Sequence, residues 1–383
     1  MSRSAIPGAR RPVTESGAAL TGALVDLGRR SGLAAVGVTG VGVFEDARRV
    51  LLERKERGLA AGMQFTYRNP DRSTDPARIL PGARALVVGA RGYGGEEPGP
   101  GPPGSPPGAS TGSGLQRPQG RVARYVRRDH YVKLRVALGA VAGHLESLGW
   151  RATVVCDDNA LVDRAAAHRA GLGWYGKNSL FFLDGVGSWF LLGSVITDAP
   201  LRPSTVADPQ PHGRGCGTCA RCRAACPTDA LSEPGVVDAR RCLAWLVQAP
   251  GSFPEEHRRA LGDRLYGCDE CQQVCPVNRL ADRRHPSSRT EPEGIGHVDL
   301  LRLLAASDDD LMAEHGRWYI ARRDPRYLRR NALVVLGNVG DGRDPSIEAA
   351  LRHWLAADDP MLAEHARWAA RALGRSDLVE QAR

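Results

Sequence analysis

The chain has 383 residues, a net charge of +9 and nine cysteines. That length leaves room for two or three domains, and no uninterrupted stretch of about 18 apolar residues is present to span a membrane. The basic balance suits a polyanion such as RNA; compositional bias competes as an explanation, since 49 of the 52 basic residues are arginine.

Residues 1–15 read as a disordered tail. Arg10-Arg11 is followed by Pro-Val-Thr-Glu-Ser, and Asp26 interrupts the next apolar stretch, so no export signal is expected and the cytoplasm is. Leu20, Leu24 and Leu27 predict a helix over 17–32, stopped by Gly32. Leu33 to Val43 is β-rich, and a second helix is expected over 45–58. A loop with aromatics and arginine follows, then Arg72-Ser-Thr-Asp75-Pro76 and the short apolar strand Ala85–Gly89. Residues 94–120 are a Pro/Gly-rich insert without apolar surface to bury, which predicts disorder. A helix is expected over 125–148 and a strand over 150–156.

Cys156-Asp157-Asp158 follows directly on that strand, a common place for a side chain aimed into a cleft. Asp158 or Asn159 can cap the next helix, which carries Asp163 and Arg164. Gly171, Gly173 and Gly176 then make a close-approach turn before Lys177, one of only three lysines in the chain. Phe181-Phe-Leu, Trp189-Phe-Leu-Leu and Val195-Ile predict a hairpin around Gly185-Val-Gly187.

Eight of the nine cysteines lie between 216 and 275. Cys216, Cys219, Cys222 and Cys226-Pro227 have the bacterial ferredoxin spacing, in which the fourth thiolate ligates the other of two [4Fe–4S] cubes. Cys268, Cys271 and Cys275-Pro276 repeat the tail of that motif, with Leu265 where its first cysteine should stand. Cys242 is the spare thiol nearby. One cluster is therefore assigned Cys216, Cys219, Cys222 and Cys275, and the other Cys226, Cys242, Cys268 and Cys271. Zinc knuckles and disulfides are the competing readings, but zinc does not require the third cysteine at this spacing or the fourth before proline.

The remainder is helical. Arg329–Gly337 resembles Glu364–Gly374, which suggests a HEAT-like repeat packed on the cluster region. Arg322, Arg323, Arg326, Arg329 and Arg330 gather at its entry as candidate phosphate contacts, a solvated helix face being the alternative.

Taken together, the Arg72–Gly82 motif, the stretch from Asp163-Arg164 to Gly176-Lys177-Asn178, the eight cysteines, Tyr266–Pro276 and Arg330-Asn331-Ala resemble the epoxyqueuosine reductase family from about residue 20 to the C-terminus. The resemblance implies an α+β protein. It would have a cobalamin-binding, nitroreductase-like α/β domain at 16–205, a ferredoxin-like domain with two [4Fe–4S] clusters at 206–290 and a HEAT-like helical domain at 291–383. It further implies a base-off cobalamin near Arg72, Asp157, Lys177, Asn178, Ser179 and Phe181, with Asp157 as proton donor. The expected partners are tRNA and an external electron donor, and the protein is expected to be a monomer that does not bind membranes. Asp158 departs from the threonine usual in the family, and Asp129-His130-Tyr131 swaps its aromatic order. A small-molecule reductase of the reductive-dehalogenase kind and a plain electron-transfer protein are the other readings.

Overall fold

The computed structural model describes residues 16–93, 117–204, 214–284 and 296–382. The expected N-terminal tail and most of the insert lie outside these residues. Helix α1 (Gly17–Arg30) is capped by Ser16, whose side chain accepts from the Ala19 amide, and buries Leu20 and Leu24. Strand β1 (Ala35–Gly40), helix α2 (Glu45–Glu56) and strand β2 (Ala85–Gly92) follow. The long helix expected from residue 125 begins only at α3 (His130–Ser147), because Arg128 is extended and Asp129 caps the new start by accepting from Tyr131 and Val132. Next come β3 (Ala152–Val155), α4 (Asp163–Arg169) and β4 (Phe190–Thr197).

These four strands form one sheet in the order β1-β2-β4-β3, and every neighbouring pair is antiparallel. The region is thus an antiparallel sheet carrying helices, which differs from the α/β arrangement expected. Val38, Val87 and Val195 line one face and Leu86, Val88 and Ile196 the other, so the central strands are apolar on both faces. Leu134, Leu138, Val141 and Leu145 of α3 cover one face with α1. Ala165, Ala166 and Ala167 of α4 cover the other.

The expected hairpin around Gly185 forms only at its turn, where Leu183 and Gly187 bridge. Phe181–Leu183 pairs instead with Gly173–Tyr175, while β4 joins the main sheet. Gly187 is at φ +71, and a Cβ there would lie 2.2 Å from Asn278 Oδ1. This close approach seats the turn on the cysteine-rich region.

A second sheet crosses the expected domain boundary. Gln119–Val122 lies between Arg264–Tyr266, to which it is parallel, and His297–Asp299, to which it is antiparallel. Val122, Ala123 and Val126 share one core with Leu243, Leu246, Leu265 and the C-terminal helices. After α5 (Leu243–Leu246) and α6 (Pro276–Arg284), those helices include α7 (Arg326–Val339), α8 (Pro345–Leu355) and α9 (Pro360–Ala372). Gly337 lets α7 press on Trp368 and Ala369 of α9, whereas Gly374 ends a helix at φ +75. The two glycines that suggested a repeat have different physical roles.

Candidate active site

The eight cysteines of the motif are all free thiols. Cys219 donates its amide to the Cys216 carbonyl at 2.9 Å, tightening the first loop. Cys242 stands at the start of a short helix (Leu243–Leu246), and the Ala244 and Trp245 amides point at its sulfur. Cys275 precedes the helix Pro276–Arg284, and its sulfur accepts from Val277 and Asn278. The Ala230 amide donates to Cys226 Sγ at 3.2 Å. Such amides stabilise a thiolate before any metal is considered.

The electrostatics sort these thiols into two sets. Burial raises the Cys222 thiol first, and Cys216, Cys275 and Cys219 raise it further. Cys216 and Cys219 act likewise on Cys275. In the second set, Cys226 acts on Cys242, and Cys242 on Cys268. Burial drives Cys268 up to about 12, and Cys271 also rises, pushed by burial, then by Cys268 and Cys242, and after them by Cys222 of the first set, where the two sets adjoin. Among the described residues no group of three or more His, Cys, Asp or Glu side chains is placed to hold a metal ion. The two observations differ in what they test, because a cube keeps four thiolates at separate corners while a single ion draws them to one point. Two sets of four thiols are the donor set that two [4Fe–4S] clusters need. The wild-type protein should carry about eight irons and Cys242→Ala about four, by iron and acid-labile sulfide analysis. A full complement in the variant would remove Cys242 from the ligand set.

Lys177 and Asn178 belong to this region. The Lys177 ammonium donates to the carbonyls of Gly217 at 2.6 Å and Cys219 at 3.1 Å. Asn178 is buried and donates to the Cys271 carbonyl at 3.3 Å. Both, expected against the corrin, fasten a cysteine loop in the structure. Phe181 was expected there too, but it is 2% exposed and packs on His168, Tyr175 and Phe190. Arg72 is exposed, and Ser179, at φ +64, has its carbonyl held by Arg164. Behind the loops, Ser188, Gln272 and Asn278 form a buried hydrogen-bond network.

Asp157 sits on the loop after β3 with φ +54, a left-handed conformation that asparagine and aspartate tolerate best. Such strain gathers at functional sites. Its side chain is open to solvent, yet the surrounding protein wall desolvates it and raises its pKa. A hydrogen bond from Tyr131 and the charge of Arg135 oppose that rise, while Asp158 adds to it. Asp158 accepts from the Ala160 amide at 2.8 Å, closing a turn ahead of the helix without capping it. Asp163, the first residue of α4, has a buried Oδ1 with no hydrogen-bond partner among the described residues. Burial raises its pKa, followed by the charge of Asp157. Tyr125 joins this acid to the metal region. Its hydroxyl accepts from Gln248 at 3.0 Å; burial raises its pKa most, followed by the charges of Asp269, Asp157 and Cys242.

Sequence reasoning missed the roles of Tyr125, Tyr131 and Asp163. Tyr131 had a signal, a hydroxyl on the apolar face of α3. Asp163 had only its place in a motif, because its burial depends on the sheet beneath.

The candidate phosphate contacts divide. Arg322 and Arg323 are exposed, at φ +55 and +56. Arg326 is exposed but paired with Asp324 and Asp359. Arg329 and Arg330 are 7% and 0% exposed, which corrects their expected surface role. Arg329 holds Asp308 and the Ala306 carbonyl. Arg330 holds four carbonyls between Leu246 and Gly251.

Residues 215–278 match the family described as a 4Fe-4S double cluster binding domain. The epoxyqueuosine reductase of Vibrio cholerae is 33% identical, over 74% of this chain and 74% of its own. That of Bacillus cereus is 32% identical, over 80% of this chain and 77% of its own. An epoxyqueuosine reductase crystallised with an epoxyqueuosine-modified tRNA-Tyr stem loop superposes with a TM-score of 0.80 at 28% identity, covering 95% of this chain and 93% of that one. A Bacillus subtilis structure, described with its aspartate-bearing catalytic loop swung out of the active site, gives 0.78 at 27%, covering 95% and 94%. With a third of its residues shared across most of its length, and the double-cluster motif in place, the chain belongs to the epoxyqueuosine reductase family.

Proposed function

We propose that this chain reduces epoxyqueuosine to queuosine at the wobble position of tRNA, with two [4Fe–4S] clusters and a cobalamin. The observation that carries the reading is the meeting of Asp157 and Cys242 around Tyr125. An acid and a cluster ligand both bear on one tyrosine, which suits an electron-accepting cofactor that works with an acid. A plain electron-transfer protein has no use for the acid. When bound, cobalamin supplies a cobalt centre that takes electrons singly and delivers reducing power to the substrate.

The residues supply the rest. Removing the epoxide oxygen breaks two C–O bonds and consumes two electrons and two protons, leaving an alkene and water. Asp157, whose carboxyl is raised by desolvation, gives a proton to the departing oxygen. Cys216, Cys219, Cys222 and Cys275 would hold one cluster, and Cys226, Cys242, Cys268 and Cys271 the more deeply enclosed other; the clusters would supply one-electron transfer from an external donor.

In this reading residues 16–205 form the cobalamin-binding, nitroreductase-like part, 206–290 the ferredoxin-like part and 291–383 a HEAT-like helical part, with 119–126 joined to the cluster part. Work on tRNA fits the cytoplasm, and among the described residues no helix is long and apolar enough to cross a membrane. Arg322 and Arg323 are the remaining candidates for phosphate contact.

The test is anaerobic incubation of reduced protein and cobalamin with epoxyqueuosine-tRNA, followed by nucleoside mass spectrometry. Queuosine should accumulate; intact epoxide would reject the reading. In the same preparation, Arg322→Ala with Arg323→Ala should shallow the salt dependence of tRNA binding by about one unit of slope per lost contact. An unchanged slope would return both to a solvated surface.

A further inference from the structure

The overall reaction needs two protons on one oxygen, and Asp157 carries one. We propose that Asp163 holds the second and passes it through Asp157, so that the two aspartates act as a two-proton store beside the substrate. This rests on the proposed reduction of epoxyqueuosine.

The geometry begins with Asp163 Oδ1, buried without a hydrogen-bond partner among the described residues. An ionised carboxylate in that position would lose its hydration with nothing in return, so the neutral acid is the stable form. The floor beneath it is apolar, with Leu161 and Ala166 fully buried. Every charged or titratable neighbour agrees with this except one. Asp157 and Asp158, on the preceding loop, raise the pKa of Asp163. From α3, Tyr131 hydrogen-bonds to Asp157 and feels the charges of both Asp157 and Asp163, and Arg135 acts on Asp157. At the end of β3, burial pushes the Cys156 thiol up to about 12, so it stays neutral. Arg164 is the opposing charge, and its Nη1 is committed to the Ser179 carbonyl at 2.9 Å.

The order of events follows from charge. As the first C–O bond breaks, Asp157 protonates the epoxide oxygen to a hydroxyl and becomes a carboxylate. That new charge raises Asp163 further, so its proton is still present when needed. It remains a far stronger acid than water, the conjugate acid of the departing hydroxide. Asp163 then passes its proton to Asp157, whose carboxylate accepts from the Tyr131 hydroxyl, and Asp157 delivers it as the second C–O bond breaks. Water leaves, the alkene forms, and both electrons come from the external one-electron donor by way of the clusters. Asp163 touches no reacting atom and acts through its neighbour.

Two measurements test this. Infrared spectra of the substrate-free protein at neutral pH should show a protonated carboxyl stretch that Asp163→Asn removes and Asp163→Glu retains. Single-turnover reduction should slow about 10- to 100-fold in Asp163→Asn, less than a directly positioned acid commands. Small carboxylic acids in the buffer should restore it, and Asp163→Glu should keep the rate with a shifted alkaline limb. Absence of the infrared band, or an Asp163→Asn rate and pH profile equal to the parent's, overturns the store. If Asp163→Asn does not fold, an unshifted alkaline limb in Asp163→Glu overturns it. Should the parent fail to turn over, the epoxyqueuosine reading falls, while the infrared band still judges whether Asp163 holds a proton.

Discussion

Asp157→Asn should lower single-turnover reduction of epoxyqueuosine-tRNA by ~10²–10⁴, the usual worth of a positioned general acid. Asparagine preserves the size and the hydrogen-bonding reach towards Tyr131, and it tolerates the left-handed backbone at φ +54. It has no proton to give. Iron content, cobalamin binding and tRNA affinity should survive, which separates lost chemistry from lost structure. Pre-reducing the protein removes electron supply from the measured rate. In the parent, desolvation raises the Asp157 carboxyl, so the acid form persists to higher pH than for a free aspartate. Activity should be full below that raised pKa and fall as pH climbs through it. Asp158→Asn should cost far less, since its carboxylate is occupied with the Ala160 amide and an asparagine oxygen can accept the same bond. A parent-like rate in Asp157→Asn, with Asp158→Asn inactive, would move the acid to the neighbouring residue.

Arg330→Ala should destabilise the protein by about 3 kcal/mol or more, since each buried acceptor left without its donor costs roughly 1–3 kcal/mol. The guanidinium is fully buried on α7 and its pKa is pushed down to about 10 by that burial. Among the described residues no carboxylate pairs with it. Its charge is met instead by the carbonyls of Leu246, Val247, Ala249 and Gly251 and by Asn331 Oδ1. Alanine would strip the carbonyls of Leu246, Ala249 and Gly251 of this donor, while Val247 keeps the Asn331 amide, and would leave a cavity beside them. The short helix Leu243–Leu246 runs from Cys242 to these carbonyls, so loosening its end should also loosen the thiol at its start. Melting temperature and iron content should fall together, with the loss near half the iron. Arg330→Lys should restore only part, because one ammonium cannot span the carbonyls that a planar fork reaches. An alanine variant that melts like the parent and keeps its iron would show these bonds to be incidental.

Arg330 also marks where reading the sequence stopped. A run of arginines on one helix reads as a surface, and only a distant segment bending its carbonyls inward reverses that. The cysteines were legible because their chemistry is local: the spacing itself dictates which thiols can reach which corner. Asp157 was legible because it ends an apolar strand. Lys177 was noticed for its rarity, but its partners, Gly217 and Cys219, lie 40 and 42 residues away and changed its role. Asp163 could not be separated from an ordinary helix-start acid without knowing what covers it. The broken helix at Arg128 was present in the sequence as Asp129, a strong cap placed where apolar periodicity had suggested continuity.

The strand Gln119–Val122 has a consequence for biogenesis. It is the middle strand of its sheet, yet its partners, Arg264–Tyr266 and His297–Asp299, are synthesised long after it. Closing so long a loop is slow, and the sheet cannot be completed until His297–Asp299, which follows all eight cysteines, has been made. The thiols therefore emerge from translation before the sheet that backs them is complete. During that interval they are open to iron–sulfur delivery, and closure of the sheet by the last third of the chain shuts the door behind the inserted metal.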